Sequence, residues 1–235
     1  MKIINLDKEI FEHAFILCEK KFSYEEIINV LKNGNDVEKQ IAILKIRFIE
    51  NRKDAKLLVS HLTGQDGPIR ESVAVKLNEL LSVENCKIFD DVDFYPTYVE
   101  AVCDVNPNVS RNVISYLPKL EFAGELFDLL IKKTEKIFER IEKPDTEQKN
   151  FLTVRLFNLY WCLEAIGELL VAKNNLIVEN RLNGLLEKSA IFNNYTIDEK
   201  IARIISLPFF NDVRCKIEKK IQNTDNFYVK RYLKQ

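Results

Sequence analysis

The residue types that carry out catalysis or hold metals are few and scattered in this sequence of 235 residues. The two histidines, His13 and His61, lie on different predicted helices, and neither has a cysteine or an acid at the spacing of metal ligands. No glycine-rich phosphate-binding motif, HExxH zinc motif or GxSxG nucleophile motif occurs. We therefore predict a protein that is not an enzyme and that has no catalytic, cofactor-binding or metal-binding residues.

The cysteines are dispersed and form no CxxC pair. They are Cys18, Cys86, Cys103, Cys162 and Cys215. Each lies within or beside an apolar helical pattern, where a thiol packs as a small hydrophobic group, so core packing is favoured over nucleophilic chemistry. Dispersed thiols in an odd number are typical of a reducing compartment, and the first residues reach charges before an apolar run of signal-peptide length develops. Both observations predict a cytoplasmic protein.

One tight acidic cluster occurs, formed by Asp90, Asp91 and Asp93. Such a cluster could bind a cation, because carboxylate oxygens are ligands for calcium. The evenly spaced ligands and the central glycine of an EF-hand loop are missing, however. A solvated loop between two helices is therefore the favoured interpretation.

The C-terminal end of the chain is locally basic. Residues 214–235 contain seven basic and two acidic residues, a local charge of +5. Interleaved aromatic side chains could stack on nucleic-acid bases or contact an acidic partner, although a solvated terminal helix is favoured. The candidate partner-binding residues here are Lys219, Lys220, Lys230 and Arg231, and the aromatic ones are Phe227, Tyr228 and Tyr232.

The overall composition favours a helical globular protein. With only 6 glycines and 6 prolines, the chain has too few turn formers for a many-stranded β fold. A net charge of -1 gives no overall field that would attract nucleic acid or an anionic membrane. The most apolar stretch, residues 151–172, is long enough to span a bilayer but carries polar and charged residues along one helical stripe, which favours a buried helix without membrane contact. These residues are Arg155, Asn158, Glu164 and Glu168.

A short pattern recurs at the start of several predicted helices. Val37 to Ala42, Ile69 to Ala74 and Ile197 to Ala202 each show an apolar residue, three mostly polar residues, a second apolar residue and alanine. Val109 to Ile114 is a weaker copy, and a degenerate copy is expected near Phe151 or Leu152. Anchors four residues apart lie on one helix face, and the small alanine lets a neighbouring helix approach closely. The same apolar spacing continues beyond the first copy, through Leu44 to Phe48.

These patterns predict an all-α fold in a single domain, residues 1–235, made of about five helical hairpins. The hairpins are expected at about 24–50, 53–82, 96–118, 120–173 and 176–206. Helices at 6–22 and 209–234 would cap the two ends with polar outer faces. In the first cap, Ile10, Ala14, Leu17 and Cys18 are expected to point inward, and residues 142–150 are expected to form the most mobile loop.

The segment from Asp66 to Ala74, followed by Leu77, Leu80 and Leu81, resembles the turn and second helix of a HEAT repeat. More loosely, the chain is similar to the armadillo-type α-solenoids. The resemblance implies a right-handed α-α superhelix in which repeats stack on a continuous core. It also implies a structural role for Asp66 and Arg70 in stacking between units, and it implies no reaction.

The resulting hypothesis is a non-catalytic scaffold or adaptor that binds another protein along a solenoid groove, without membrane contact. If second helices line the concave side, as the resemblance implies, further candidate partner-binding residues are Lys39, Arg47, Arg70, Lys76 and Arg111. The alternative is a nucleic-acid-binding or repair protein similar to the HEAT-like alkylpurine DNA glycosylases, and the net charge and the single tryptophan disfavour it. The bilin lyases share such a scaffold, but no residue here points to them.

Overall fold

The computed structural model describes residues 12, 14–82, 87–142, 152–173, 180–192, 194–221 and 226–233. Within these residues every regular element is helical and no strand occurs. The all-α prediction is therefore confirmed. The α-helices are α1 (Tyr24–Asn33), α2 (Asp36–Lys45), α3 (Arg52–Ser60), α4 (Gly67–Leu80), α5 (Tyr95–Val102), α6 (Pro107–Tyr116), α7 (Ala123–Glu142), α8 (Leu152–Ala172), α9 (Asn180–Ser189), α10 (Tyr195–Ile205), α11 (Asn211–Ile221) and α12 (Phe227–Leu233).

The helices fall into two compact units. The first comprises the described residues up to Ala101 together with Asn106–Tyr116, and the second comprises Val102–Val105 and the described residues from Leu117 onward. Each predicted hairpin range contains two successive helices, from α1 and α2 to α9 and α10. The single-domain assignment stays a prediction, and the loop predicted at 142–150 lies, beyond its first residue, outside the described residues.

Side-chain caps determine where the helices of the first unit begin. Ser23 and Asn35 each form a capping box with the glutamate three residues later, and Asn51 caps α3. Within this unit α4 packs between α2 and α6. Ala42 of α2 and Ala74 of α4 are fully buried, as expected for small residues where helices approach closely.

The turn before α4 has the geometry of a capped helix start. The Asp66 carboxylate accepts a hydrogen bond from the Ile69 backbone N–H at 2.8 Å, and Pro68 lies in the first turn. The Arg70 guanidinium donates to the carbonyl oxygens of Gly64 and Gln65 at 2.9 and 2.8 Å. Asp66 and Arg70 thus hold the turn against the helix that it starts.

We expect the Asp66→Ala variant to lose about 1 kcal/mol of unfolding free energy, because the Ile69 backbone N–H in the first turn of α4 loses its acceptor. Urea denaturation followed by circular dichroism measures this loss. Gln65→Ala is the matched control, since this exposed residue contributes only its backbone carbonyl to the turn. An equal loss in both variants would contradict a specific capping role.

A carboxylate joins the second helices of two successive pairs in this unit. Glu71 of α4 accepts hydrogen bonds from the side-chain amides of Asn106 and Asn108, at 2.7 and 2.9 Å. Asn106 also accepts a hydrogen bond from the backbone N–H of Asn108 at the start of α6. The Asn106-Pro107 turn is therefore tied both to its own helix and to α4.

The three carboxylates of the acidic cluster bind neighbouring side chains. Asp91 and Asp93 both form ion pairs with Arg52, and Asp90 accepts a hydrogen bond from the Tyr95 hydroxyl. The Arg52 guanidinium lowers the pKa of Asp91. Among the described residues, no group of three histidine, cysteine or acidic side chains has a metal-binding arrangement. The cluster thus serves as an anchor for Arg52, in line with the loop interpretation.

In the second unit, α8 packs against both α7 and α10, and α10 packs against α12. The polar stripe that the sequence places on α8 is matched by partners on these neighbours. Glu164 forms an ion pair with Lys200 at 2.9 Å, and Glu168 forms one with Arg203 at 2.7 Å. Arg155 donates to the carbonyl oxygen of Arg140. None of the helices in the described part of the chain combines the length and hydrophobicity that a membrane crossing requires.

The N-terminal cap differs from its prediction. Residues 14–19 are helical, but Cys18 is exposed rather than inward, and Phe15 and Ile16 are also exposed. The Lys45 ammonium group donates hydrogen bonds to the carbonyl oxygens of Cys18 and Lys20. Polar contacts with the backbone thus attach the end of this segment to α2, and these contacts do not require the Cys18 thiol to face the core. Ile10 lies outside the described residues.

Candidate partner-binding groove

An open groove of about 660 Å³ lies on the first unit. Its walls are the segment just before α1, the first turn of α1 and the chain at the end of α2, and one residue of α4 completes it. The lining residues are Glu19, Lys20, Lys21, Phe22, Tyr24, Ile27, Leu44, Lys45, Ile46, Arg47, Phe48 and Lys76. Five of these twelve are basic and one is acidic, so the lining is predominantly basic although the whole chain is nearly neutral.

An aromatic pair forms the apolar wall. The rings of Tyr24 and Phe48 stack with centroids 5.6 Å apart and an angle of 6° between their planes. Ser23 caps α1 and thereby fixes the first turn, in which Tyr24 is the first residue. The Tyr24 hydroxyl donates to the Asp54 carboxylate at 2.8 Å and accepts from the Glu50 backbone N–H at 3.2 Å. These bonds hold the ring in place before any ligand binds.

The Tyr24 hydroxyl lies in a partly buried environment that keeps it protonated. Burial raises the pKa of Tyr24 to about 12, and the hydrogen bond to Asp54 acts in the same direction while that from Glu50 opposes it. Asp54 is itself buried, and it also accepts a hydrogen bond from the Asn51 side-chain amide at 2.8 Å. The hydroxyl is therefore a neutral structural donor at physiological pH.

Tyr24→Phe is expected to lower the free energy of unfolding by about 1 kcal/mol, because the Asp54 carboxylate and the Glu50 N–H both lose a partner. Equilibrium urea unfolding provides the measurement. The control is Tyr195→Phe, since the Tyr195 side chain is exposed, and it should leave the midpoint unchanged. If the two variants behave alike, the Tyr24 hydroxyl does not support the wall.

Two large apolar side chains of the groove remain open to solvent. Leu44 and Phe48 are 53% and 54% exposed. Helical spacing places both residues on the inward face with Ile41, but Leu44 is exposed within α2 itself, and the backbone of Ile46, just after α2 ends at Lys45, is extended. The change of backbone conformation buries Ile46 and leaves Phe48 beside the groove. Exposed apolar side chains grouped in this way are typical of binding surfaces.

The charged rim contains both anchored and available cations. Lys20 forms an ion pair with Glu26 at 2.9 Å, and Lys45 is held by backbone carbonyl oxygens. Both ammonium groups also lie over the Phe22 ring, at 4.9 and 5.9 Å from its centroid. Within the described part of the chain, Lys21 and Arg47 are exposed and have no hydrogen-bond or ion-pair partner. These two residues can therefore pair with a ligand at little cost.

Two of the residues predicted to bind a partner meet in this groove. Arg47 lies on its rim, and Lys76 lies at its base, where it is 7% exposed and paired with Glu79 at 2.5 Å. Lys39 is half-buried on α2, Arg111 is exposed on α6, and Arg70 is bound to the turn before α4. None of these three is among the groove-lining residues.

The basic C-terminal segment is partly balanced by acidic neighbours. Lys216 and Lys220 both approach Glu187, at 2.7 and 3.8 Å, and Arg231 forms an ion pair with Glu199 at 3.2 Å. Lys219 is exposed on α11. The structure places the remaining candidates on α12, where Lys230 is half-buried, Phe227 and Tyr228 are exposed, and Arg231 lies over the rings of Tyr228 and Tyr232.

A second group of charges lies between α8 and α10. Lys200 is buried, and its ammonium group lies 4.9 Å from the centroid of the Tyr160 ring. Burial lowers the pKa of Lys200, but the hydrogen bond from Lys200 to Glu164 and the Glu164 charge outweigh this effect and raise it overall. Asp198 is 2% exposed and one of its carboxylate oxygens has no hydrogen-bond partner among the described residues. The ion pairs of this group join α8 to α10 within the second unit.

Comparisons with known proteins give no family for this chain. The sequence matches no protein-family model and no curated protein. Two crystal structures of engineered proteins from the Northeast Structural Genomics Consortium are similar in structure. The first is 16% identical with a TM-score of 0.47, covering 91% of this chain and 96% of that chain. The second is 14% identical with a TM-score of 0.45, covering 89% of this chain and 93% of that chain.

Proposed function

We propose that this protein is a non-catalytic interaction protein whose groove binds a segment of another protein that carries apolar side chains flanked by acidic residues. The observation that carries the proposal is the combination of exposed Leu44 and Phe48 with the available cations Lys21 and Arg47. Apolar anchors and complementary charges are the two parts of a specific protein interface.

The size of the groove supports a segment rather than a folded surface. At about 660 Å³, it has the volume of a pocket that takes a few side chains. An apolar side chain of the partner would contact Leu44, Phe48 and the stacked Tyr24 ring. Acidic residues on either side of it would then reach Lys21 and Arg47, whose positions on the rim keep them in solvent until the partner arrives.

We also propose that the helix pairs within each unit are HEAT-like repeats, stacked as in a right-handed superhelix. In the first unit the second helices of successive pairs, α2, α4 and α6, pack in order, and in the second unit α8, α10 and α12 do so. Nearest-neighbour packing of this kind supports a repeat array. Scaffolds built in this way commonly bind partners without catalysing a reaction, in agreement with the scattered positions of the chemically reactive residues.

A nucleic-acid ligand is the alternative, since a basic groove with aromatic residues can also bind single strands. Two features favour a protein segment. Leu44 is an exposed aliphatic side chain, which offers no aromatic face for stacking on a base, and among the described residues only two of the five cations have no internal partner. Neutralising a phosphate backbone requires more cations than that.

The proposal is tested by selecting peptides from a random phage-displayed library on the wild-type protein. A parallel selection on the Lys21→Glu/Arg47→Glu variant identifies the peptides that bind outside the groove, and these are discarded. We expect enriched sequences in which Leu, Phe or Trp is flanked by Asp and Glu. Enrichment of basic sequences, or the same sequences from both proteins, would overturn the proposal.

Fluorescence anisotropy with labelled single-stranded and duplex DNA at low salt tests whether the groove binds nucleic acid instead of a protein segment. We expect no saturable binding to the wild-type protein. Saturable binding that the Lys21→Glu/Arg47→Glu variant loses would favour the nucleic-acid interpretation and contradict the proposed one.

A further inference from the structure

Two cysteines of the second unit are placed close together by the fold. The Sγ atoms of Cys103, just after α5, and Cys162, on α8, lie 3.4 Å apart. The Cys103 thiol also lies 3.6 Å from the carbonyl oxygen of Asn158, one helical turn before Cys162. A disulfide bond requires a sulfur separation of about 2.05 Å, so the two sulfur atoms would have to approach each other by about 1.4 Å.

We propose that Cys103 and Cys162 form a reversible disulfide, which makes the pair an oxidative modification site. Their different exposure assigns the two roles. Cys103 is partly exposed and can meet a dissolved oxidant, whereas Cys162 is fully buried and its Sγ atom lies within reach of Cys103. Cys103 is therefore the attacking thiol and Cys162 the resolving thiol.

The reaction with oxidised glutathione is balanced as thiol–disulfide exchange. The Cys103 thiolate attacks one sulfur of glutathione disulfide, and a mixed disulfide forms as one glutathione thiolate leaves. The Cys162 thiolate then attacks Sγ of Cys103 and releases the second glutathione. The two protein thiols together lose two protons and two electrons, and glutathione disulfide is reduced to two molecules of glutathione.

The bond would close a long loop, because the two cysteines are separated by 59 positions along the chain. Cross-links over loops of this length stabilise a fold mainly by restricting the unfolded chain. We expect the Tm of the oxidised protein to exceed that of the reduced protein by about 5 °C or more.

Peptide mapping by mass spectrometry tests the proposal. The wild-type protein is treated with oxidised glutathione, denatured and alkylated, and the exposed Cys18 and Cys215 report by their glutathione adducts that oxidation is complete. We expect a cross-linked peptide pair joining Cys103 to Cys162, which dithiothreitol separates. A stable glutathione adduct on wild-type Cys103, or alkylation of both thiols after complete reaction of Cys18 and Cys215, would overturn the proposal.

Two variants give matched controls for the assigned roles. In Cys162→Ala, Cys103 should retain glutathione because no resolving thiol is present, and oxidation should leave the Tm within about 1 °C of the reduced value. In Cys103→Ser, the buried Cys162 should remain a free thiol. A glutathione adduct on Cys162 of that variant, or a Tm increase in Cys162→Ala equal to that of the wild type, would contradict the mechanism.

Discussion

Replacing Glu164 with alanine is expected to lower the free energy of unfolding by about 3 kcal/mol, because it removes the carboxylate that pairs with a buried lysine. The Lys200 ammonium group lies 2.9 Å from Glu164, and Arg203 approaches the same carboxylate at 3.4 Å. Without Glu164, both cations keep their desolvation cost and lose part of the compensating charge. The pKa of Lys200 should fall as well, since Glu164 is what raises it.

Urea denaturation of four proteins measures this effect: the wild type, Glu164→Ala, Lys200→Met and the double variant Glu164→Ala/Lys200→Met. The double variant should recover most of the loss, because replacing both partners with apolar groups removes the desolvation cost together with the attraction. A loss below about 1 kcal/mol for Glu164→Ala would show that solvent screens the pair. Equal losses in the single and double variants would show that packing, not charge, is responsible.

Asp198→Asn is expected to have the opposite effect and to stabilise the protein by about 2 kcal/mol at pH 7.5. Burial raises the pKa of Asp198 to about 6 in the folded protein, whereas an unfolded aspartate has a pKa of about 3.9. The folded state therefore prefers the protonated carboxyl group. The contribution of Asp198 is fully present below about pH 4 and is lost as the pH rises through about 6.

Asparagine has nearly the same shape as a protonated aspartate and stays neutral at every pH. The difference in unfolding free energy between Asp198→Asn and the wild type should thus be near zero at pH 4 and should grow between pH 4 and about pH 7. Urea denaturation at several pH values in this window provides the measurement. A difference that is constant across the window, or an asparagine variant that is less stable at pH 7.5, would contradict the burial argument.

Much of the helical framework could be predicted because it depends on local chemistry. Asp66 and Pro68 start α4 in the way that capping rules require. Ala42, Ala74 and Ala202, which follow the second anchor of each repeated pattern, are all fully buried. The polar stripe of α8 likewise favoured a buried helix over a membrane span, and in the structure Glu164 and Glu168 form ion pairs with residues of α10.

The groove could not be predicted, because it depends on contacts between distant residues and on where one helix stops. Helical periodicity alone places Phe48 inward, but the extended backbone at Ile46 ends α2 and brings the Phe48 ring onto Tyr24. The bonds from Lys45 to the chain near Cys18 span more than twenty residues. Of the two predicted residues that lie here, Arg47 is available for binding, whereas Lys76 is already paired with Glu79.

Contacts between distant residues also explain why the C-terminal segment is less basic in the structure than its sequence predicts. A count of charges along residues 214–235 gives a basic patch, but the fold brings Glu187 beside Lys216 and Lys220 and Glu199 beside Arg231. The net charge of a sequence segment therefore overstates the positive charge that a ligand meets. Lys21 and Arg47 matter more for binding because, within the described chain, no acidic side chain pairs with them.

The affinity of one selected acidic peptide for matched charge-reversal variants tests the proposed function most directly. Fluorescence anisotropy would compare the wild type with Lys21→Glu/Arg47→Glu and with Lys53→Glu/Lys56→Glu, which makes the same change of charge at exposed positions of α3 outside the groove. The proposed function predicts that the Kd rises about tenfold or more for the groove variant and less than about twofold for the control. Equal changes in both variants, or no change in either, would contradict it.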